Sequence, residues 1–144
     1  MMLETLATKL TEFATRFVTT NRRRRKRLTG HLRNLRAEIN EAIEHARTYE
    51  ISAYKVPAYR CPTTAYDGTF TELLVEELDE NEVVAIRGFY NAISQFNRCL
   101  DQAHNAVGSR TKQSEVARAR VKARHVMERS HDVLAVVDAR LRSV

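Results

Sequence analysis

Six consecutive cations, Arg22-Arg23-Arg24-Arg25-Lys26-Arg27, are the densest chemistry in the sequence. Guanidinium groups pair with phosphate oxygens in a planar, two-pronged fashion. The run therefore suits an anionic partner, either nucleic-acid phosphates or the headgroups of an anionic membrane surface. The plain alternative is a solvated spacer between two packing layers. On a helix the six side chains occupy every face, so at least one sits beside apolar neighbours. Repulsion there costs stability unless an anion or a snorkelling side-chain stem relieves it. No zinc-finger spacing, RNA-binding motif or compact helix-turn-helix accompanies the run, so nothing else supports base reading.

Two carboxylate-x-x-His pairs come next, Asp101 with His104 and Glu128 with His131. Such pairs feed di-metal sites in helical bundles, and the spacing puts each pair on one helix face. Two more inward carboxylates would be needed, and Glu41 and Glu44 serve only nominally. Pairs of this kind arise by chance in a helical sequence this rich in charge. The expectation is therefore no metal, with His104 at a core edge and His131 on the surface. Cys61 follows Arg60, which could lower its thiol pKa, but no His is near it in sequence. Cys61 and Cys99 have no metal-ligand spacing and form no disulfide framework. They read as reduced thiols, with one bridge between them as the alternative. Signatures for a serine nucleophile, a phosphate loop or a dinucleotide site are absent. The sequence thus points away from an enzyme, a cofactor and a small-molecule substrate.

Few residues in this composition favour sheets. Among 144 residues there are four Gly and two Pro, no Trp, and 43% hydrophobic residues. Sheet-rich folds need many turns, whereas Ala, Leu, Glu and Arg favour helix. The net charge of +6 is uneven. The two ends are basic and the middle is acidic, so the ends could pair with the middle of this chain or of a second copy. The first residues are amphipathic, with Glu4, Lys9, Glu12 and Arg16 interrupting the apolar positions. No stretch approaches the roughly 18 apolar residues of a membrane span. The expected location is cytoplasmic, at most peripheral to a membrane.

The elements follow from periodicity. Leu3, Leu6, Leu10, Phe13 and Phe17 recur at steps of three and four, a heptad seam. A second seam runs Leu28, Leu32, Leu35, Ile39, Ala42, Ala46 and Tyr49. Phe17, Thr20, Arg24 and Leu28 join the two with a shifted step, as in a stutter. This predicts one helix from about Leu3 to Tyr49, kinked if anywhere at Thr29-Gly30, in preference to a break at Thr19-Thr20-Asn21. From Ile51 to Gly68 the period stops. Pro57 and Pro62 push Val56 and Cys61 out of helix, and Tyr54, Tyr59 and Tyr66 lie here with Tyr49 just before them. This crossover should cover one end of the bundle, its rings packed and its hydroxyls wet. Tyr54, Tyr59, Arg60 and Tyr66 are where a specific surface on the body would be sought first. Thr69 with Glu72 fits a capping box that opens a short helix through Phe70, Leu73 and Leu74. Asp79 with Glu82 starts a helix to about Val107 with two apolar seams, the central helix of a bundle. After Gly108-Ser109, a helix from about Thr111 to Leu141 turns Val116, Ala119, Ala123, Val126, Met127, Val133, Leu134, Val137 and Leu141 inward.

The expected fold is all-α: an antiparallel helical bundle with a long N-terminal amphipathic helix. Residues 1–27 form the arm and 28–144 the body, with the crossover at 51–78. The Leu3–Phe17 seam has no partner left within the chain, which argues for a homo-oligomer or a partner helix.

Tyr59-Arg60-Cys61-Pro62-Thr63, Ala65-Tyr66, Leu78-Asp79-Glu80-Asn81-Glu82-Val83, Phe89-Tyr90 and Phe96-Asn97-Arg98 together resemble a group of uncharacterised bacterial helical proteins. The resemblance covers about the middle third of the chain. In that group an N-terminal membrane span often precedes a basic run; here the first twenty residues are amphipathic instead. The resemblance implies a helical fold and brings no activity with it.

Overall fold

The first helix, α1, runs unbroken from Met2 to Ser52. The computed structural model describes residues 2–52, 60–69, 75–106 and 108–144. Helix α1 is about 75 Å long at about 1.5 Å per residue. Thr19 and Thr20 do not break it, because their hydroxyls donate to the carbonyls of Thr15 and Arg16, each at 2.8 Å. Gly30 also lies inside it, exposed, and a Cβ built there meets nothing within 4 Å. Gly30→Ala should therefore raise stability by about 0.5–1 kcal/mol through helix propensity alone. A lowered urea midpoint would show that something packs on this face.

Four more helices follow among the described residues: α2 (Thr64–Thr69), α3 (Val75–Glu77), α4 (Glu80–Asn105) and α5 (Lys112–Ser143). The expected capping box opens α4. The Asp79 carboxylate accepts from the Glu82 amide at 2.9 Å, and Glu82 accepts from the Asp79 amide at 3.1 Å. Gly108, at φ +82°, supplies the left-handed backbone in the turn to α5.

Helix α5 packs on both α1 and α4 and runs antiparallel to each. Arg36 meets Asp138 at 2.6 Å near one end of the α1–α5 pair, and Arg124 meets Glu50 at 3.1 Å near the other. Arg120 caps the end of α1, donating to the Glu50 carbonyl at 2.7 and 3.0 Å. Lys122 meets Gln95 and Arg140 meets Glu82 along the α4–α5 pair. It follows that α1 and α4 point the same way, so the chain must travel back between them. The core fills the triangle with Leu32, Leu35, Ile39, Phe89, Phe96 and Val126, all fully buried. Phe96 packs edge-on to Tyr49, ring centres 5.5 Å apart.

The crossover departs from expectation in two ways. Its described stretch at 60–69 does not cover an end of the bundle. Residues 60–69 run antiparallel along α4: Arg60 reaches Asp101 at 3.7 Å, Cys61 pairs with Asn97, and Tyr66 stacks on Tyr90. They fill the groove left between the parallel α1 and α4. Nor is the stretch up to Gly68 without helix, since α2 begins at Thr64 although no apolar period marks it. Thr63 accepts from the Asp67 amide at 2.8 Å and its hydroxyl reaches the Asp67 carboxylate. Thr69 is the last residue of α2, and the short helix expected after it at Phe70, Leu73 and Leu74 lies outside the described residues. Glu72, Phe70, Leu73, Leu74, Val56 and Val107 lie outside the described residues.

Candidate functional site

The body covers α1 only from about Leu28 onward; before it, the arm projects alone. Residues 2–20 are all exposed. Leu3, Leu6, Leu10, Phe13 and Phe17 keep between 59% and 83% of their surface open to solvent. At about 100° per residue, these five with Met2, Ala7, Ala14 and Val18 fill an uninterrupted arc of about 160°. The other side carries Thr5, Thr8, Thr11, Thr15 and Thr19 with Glu4, Lys9, Glu12 and Arg16. Thr8, Thr11, Thr15 and Thr19 donate back to the carbonyl four residues earlier, at 2.8–2.9 Å. The face opposite the apolar arc is thus polar but sparsely charged.

The shifted step between the two seams does not turn the apolar face away. Phe17 to Leu28 is eleven residues, which at about 3.6 residues per turn is close to three whole turns. The stripe that is bare in the arm is therefore the same stripe that the body buries at Leu32, Leu35, Ile39, Ala46 and Tyr49.

The cations Arg22 to Arg27 form a collar between bare arm and body, all six exposed. Arg24, seven residues after Phe17 and on the same seam, is held by Glu77 at the end of α3. The Glu77 carbonyl also accepts from Arg140 of α5. The basic ends do meet the acidic middle, as the charge distribution suggested, but for only one residue of the run. Among the described residues, Arg22, Arg23, Arg25, Lys26 and Arg27 make no ion pair. Arg23, Arg24, Arg27 and His31 line a cleft of about 390 Å³ closed on its far side by Glu76 and Glu77.

The tyrosine surface is only partly placed. Tyr54 and Tyr59 lie outside the described residues. Arg60 is exposed, and Tyr66 is half-buried with its ring 4.0 Å from that of Tyr90 and nearly parallel to it. Burial pushes the Tyr66 hydroxyl above its usual range. Beneath it is a polar contact that sequence reasoning missed. Glu38, buried in α1, accepts from the amides of Ala65 and Tyr66 at 2.7 and 3.2 Å and from the Tyr90 hydroxyl at 2.8 Å. A carboxylate from one helix thus caps the first turn of another, where α2 presents unsatisfied N–H groups. Buried Asn97 pairs both ways with the Cys61 backbone, at 2.7 and 3.1 Å. Two clues existed in the sequence: Asn97 stands in an otherwise apolar seam, and Glu38 lies three residues after Leu35 on the inward face.

Both cysteines are free and buried. Arg60 does not activate Cys61: burial, and secondarily Glu41, push its thiol up to about 12. His131 is exposed as expected, and so is His104, which does not sit at a core edge because Ala103 takes the inward position. Asp101 turns to Arg60, while Glu41 and Glu44 face solvent. Among the described residues no group of three or more metal-capable side chains comes together, and no helix is long and apolar enough to cross a membrane.

No protein-family model, no curated protein and no solved structure matches this chain.

Proposed function

We propose that this chain is a non-enzymatic helical interaction protein that self-associates through its N-terminal arm. The observation that carries this is the continuity of one apolar face. The body buries it from Leu28 to Tyr49, and the arm leaves it bare from Met2 to Val18. Fully burying a Leu or Phe is worth about 1.5–3 kcal/mol, so five such side chains can offset the cost of ordering two arms. An antiparallel pair fits the charges better than a parallel one. Leu10 of one arm against Phe13 of the other brings Leu6 opposite Phe17 and leaves the two collars at opposite ends. A parallel pair would set collar beside collar.

The test uses the full-length chain with Leu6, Leu10 and Phe13 all changed to Glu. These positions are exposed, so the body should keep its helicity. Light scattering should give a mass above the monomer for the parent chain and the monomer mass for the variant. A parent chain that stays monomeric at the highest concentration reached would sink the proposal.

A further inference from the structure

We infer that the back of α1, from Arg16 to Arg33, is a phosphate-binding face for duplex DNA. This goes beyond self-association and does not depend on it. The face lies opposite the apolar seam, so it stays open whether or not a second copy covers the arm. The sequence holds no Asp or Glu between Glu12 and Glu38, the longest acid-free stretch of the chain. At about 100° per residue, Arg24 and Arg25 fall on the apolar side, while Arg22, Arg23 and Lys26 point away from it. Arg33, eleven residues after Arg22, and Arg16, seven before Arg23, return to the same two lines after nearly whole turns. Arg16, Arg22, Arg23, Lys26 and Arg33 are exposed, and none makes an ion pair among the described residues. Arg27 borders the cleft closed by Glu76 and Glu77 and is left out of the face.

The shape of this face selects the partner. Arg22 and Arg33 form one row and Arg16 and Arg23 another, about 100° apart around the helix. Between the rows the midline carries Thr19, Gly30 and Ala37, all small and exposed, with Lys26 as its one long side chain. A flat anionic surface would touch the midline and leave the two rows splayed to either side. A groove with phosphates on both walls meets both rows at once, and the small midline lets the backbone approach its floor. The major groove of B-form DNA, about 12 Å wide, admits a helix of about 10–12 Å. The deep, narrow major groove of duplex RNA does not. From Arg16 to Arg33 the rows extend about 26 Å at about 1.5 Å per residue. A midline of Thr, Gly and Ala offers few groups to base edges, so the contacts position the duplex without choosing a sequence.

The experiment titrates the full-length chain into a fluorescent DNA duplex of about 20 base pairs and reads anisotropy at about 50–200 mM salt. Two variants are compared with the parent. One carries Arg22→Gln, Arg23→Gln, Lys26→Gln and Arg33→Gln together. The other carries Arg98→Gln, Arg110→Gln, Lys112→Gln and Arg142→Gln, four exposed cations elsewhere in the chain. Both lose the same charge. The first should bind about a hundredfold or more weaker, and its slope of log affinity against log salt should flatten by about 3–4, as four lost phosphate contacts require. The second should stay within about threefold of the parent. Equal weakening of the two variants overturns the inference, since net charge alone would then account for binding. So does a parent chain that fails to bind at about 50 mM salt. Binding to the single strand, or to duplex RNA of the same length, as tight as to the DNA duplex rejects the groove. Phosphatidylglycerol vesicles that bind the parent, fail to bind the first variant and strip the duplex from the parent assign the face to lipid instead.

Discussion

Replacing Glu38 by Ala should lower the free energy of unfolding by about 3 kcal/mol, read from the urea midpoint, and should loosen residues 60–69 before the rest of the body. The magnitude follows from an asymmetry. A hydrogen bond to a charged acceptor contributes about 1.5–3 kcal/mol, and removing only the acceptor strands donors that folding has taken out of water. Glu38 serves three donors at once: the Ala65 and Tyr66 amides and the Tyr90 hydroxyl. Glu38→Gln keeps one acceptor oxygen and should recover roughly half of the loss. Tyr90→Phe removes one donor together with its need and should cost only about 1 kcal/mol. Hydrogen exchange supplies the local readout, since the amides of Ala65 and Tyr66 should exchange faster in Glu38→Ala while those of Val126 and Val133 keep pace with global unfolding. Equal acceleration everywhere would mean that Glu38 supports the whole core and not the crossover.

Glu38 also shows where legibility in the sequence ended. Helices α1, α4 and α5 could be read to within a few residues, because apolar periodicity is local and strong over long stretches. The Asp79–Glu82 box lay in four adjacent letters. The crossover could not be read in the same way. Helix α2 has six residues and too few apolar positions to show a period, and its first turn is capped from a helix nearly thirty residues earlier in the chain. Nothing near Thr64 in the sequence announces that carboxylate. The route of the crossover was hidden for a related reason. That residues 60–69 fill a groove and not an end depends on α1 and α4 running parallel, which becomes visible only when Arg36 meets Asp138 and Arg140 meets Glu82.

The arm was legible as residues but not as a surface. Spacing gave Leu3, Leu6, Leu10, Phe13 and Phe17, and the two seams looked out of phase when counted in heptads. A straight helix makes them one face, because eleven residues close on about three turns. That places the bare stripe in line with the buried one. The collar reads differently in consequence. Arg24 is the one cation of the run that falls on the seam, and it is the one that Glu77 holds. The five others make no ion pair among the described residues.

Raising the pH should unfold the protein through groups that lie under the crossover. Burial, and secondarily Glu41, raise the Cys61 thiol from 9.0 to about 12. Burial, and secondarily the bond to Glu38, raise the Tyr90 hydroxyl above its ordinary 10.0. Both groups therefore hold their protons more tightly in the folded chain than in the unfolded one. Below pH 9 both states are protonated and this stabilisation is fully present. As pH climbs above 9, the unfolded chain releases the Cys61 proton while the folded chain keeps it, so stability falls by about 1.4 kcal/mol per pH unit for this one group. The loss reaches up to about 4 kcal/mol by pH 12, and Tyr90 adds to it above pH 10. Urea midpoints at intervals between pH 8 and about pH 10.5 should be flat at first and then decline. In Cys61→Ala the decline should begin about one pH unit later, where the tyrosines take over. The same burial should keep Cys61 unreactive towards a thiol reagent at pH 8 until denaturant is added. A parent midpoint unchanged across this range, with rapid labelling of Cys61 in the folded chain, would mean that water already reaches the thiol and that the crossover does not seal the groove between α1 and α4.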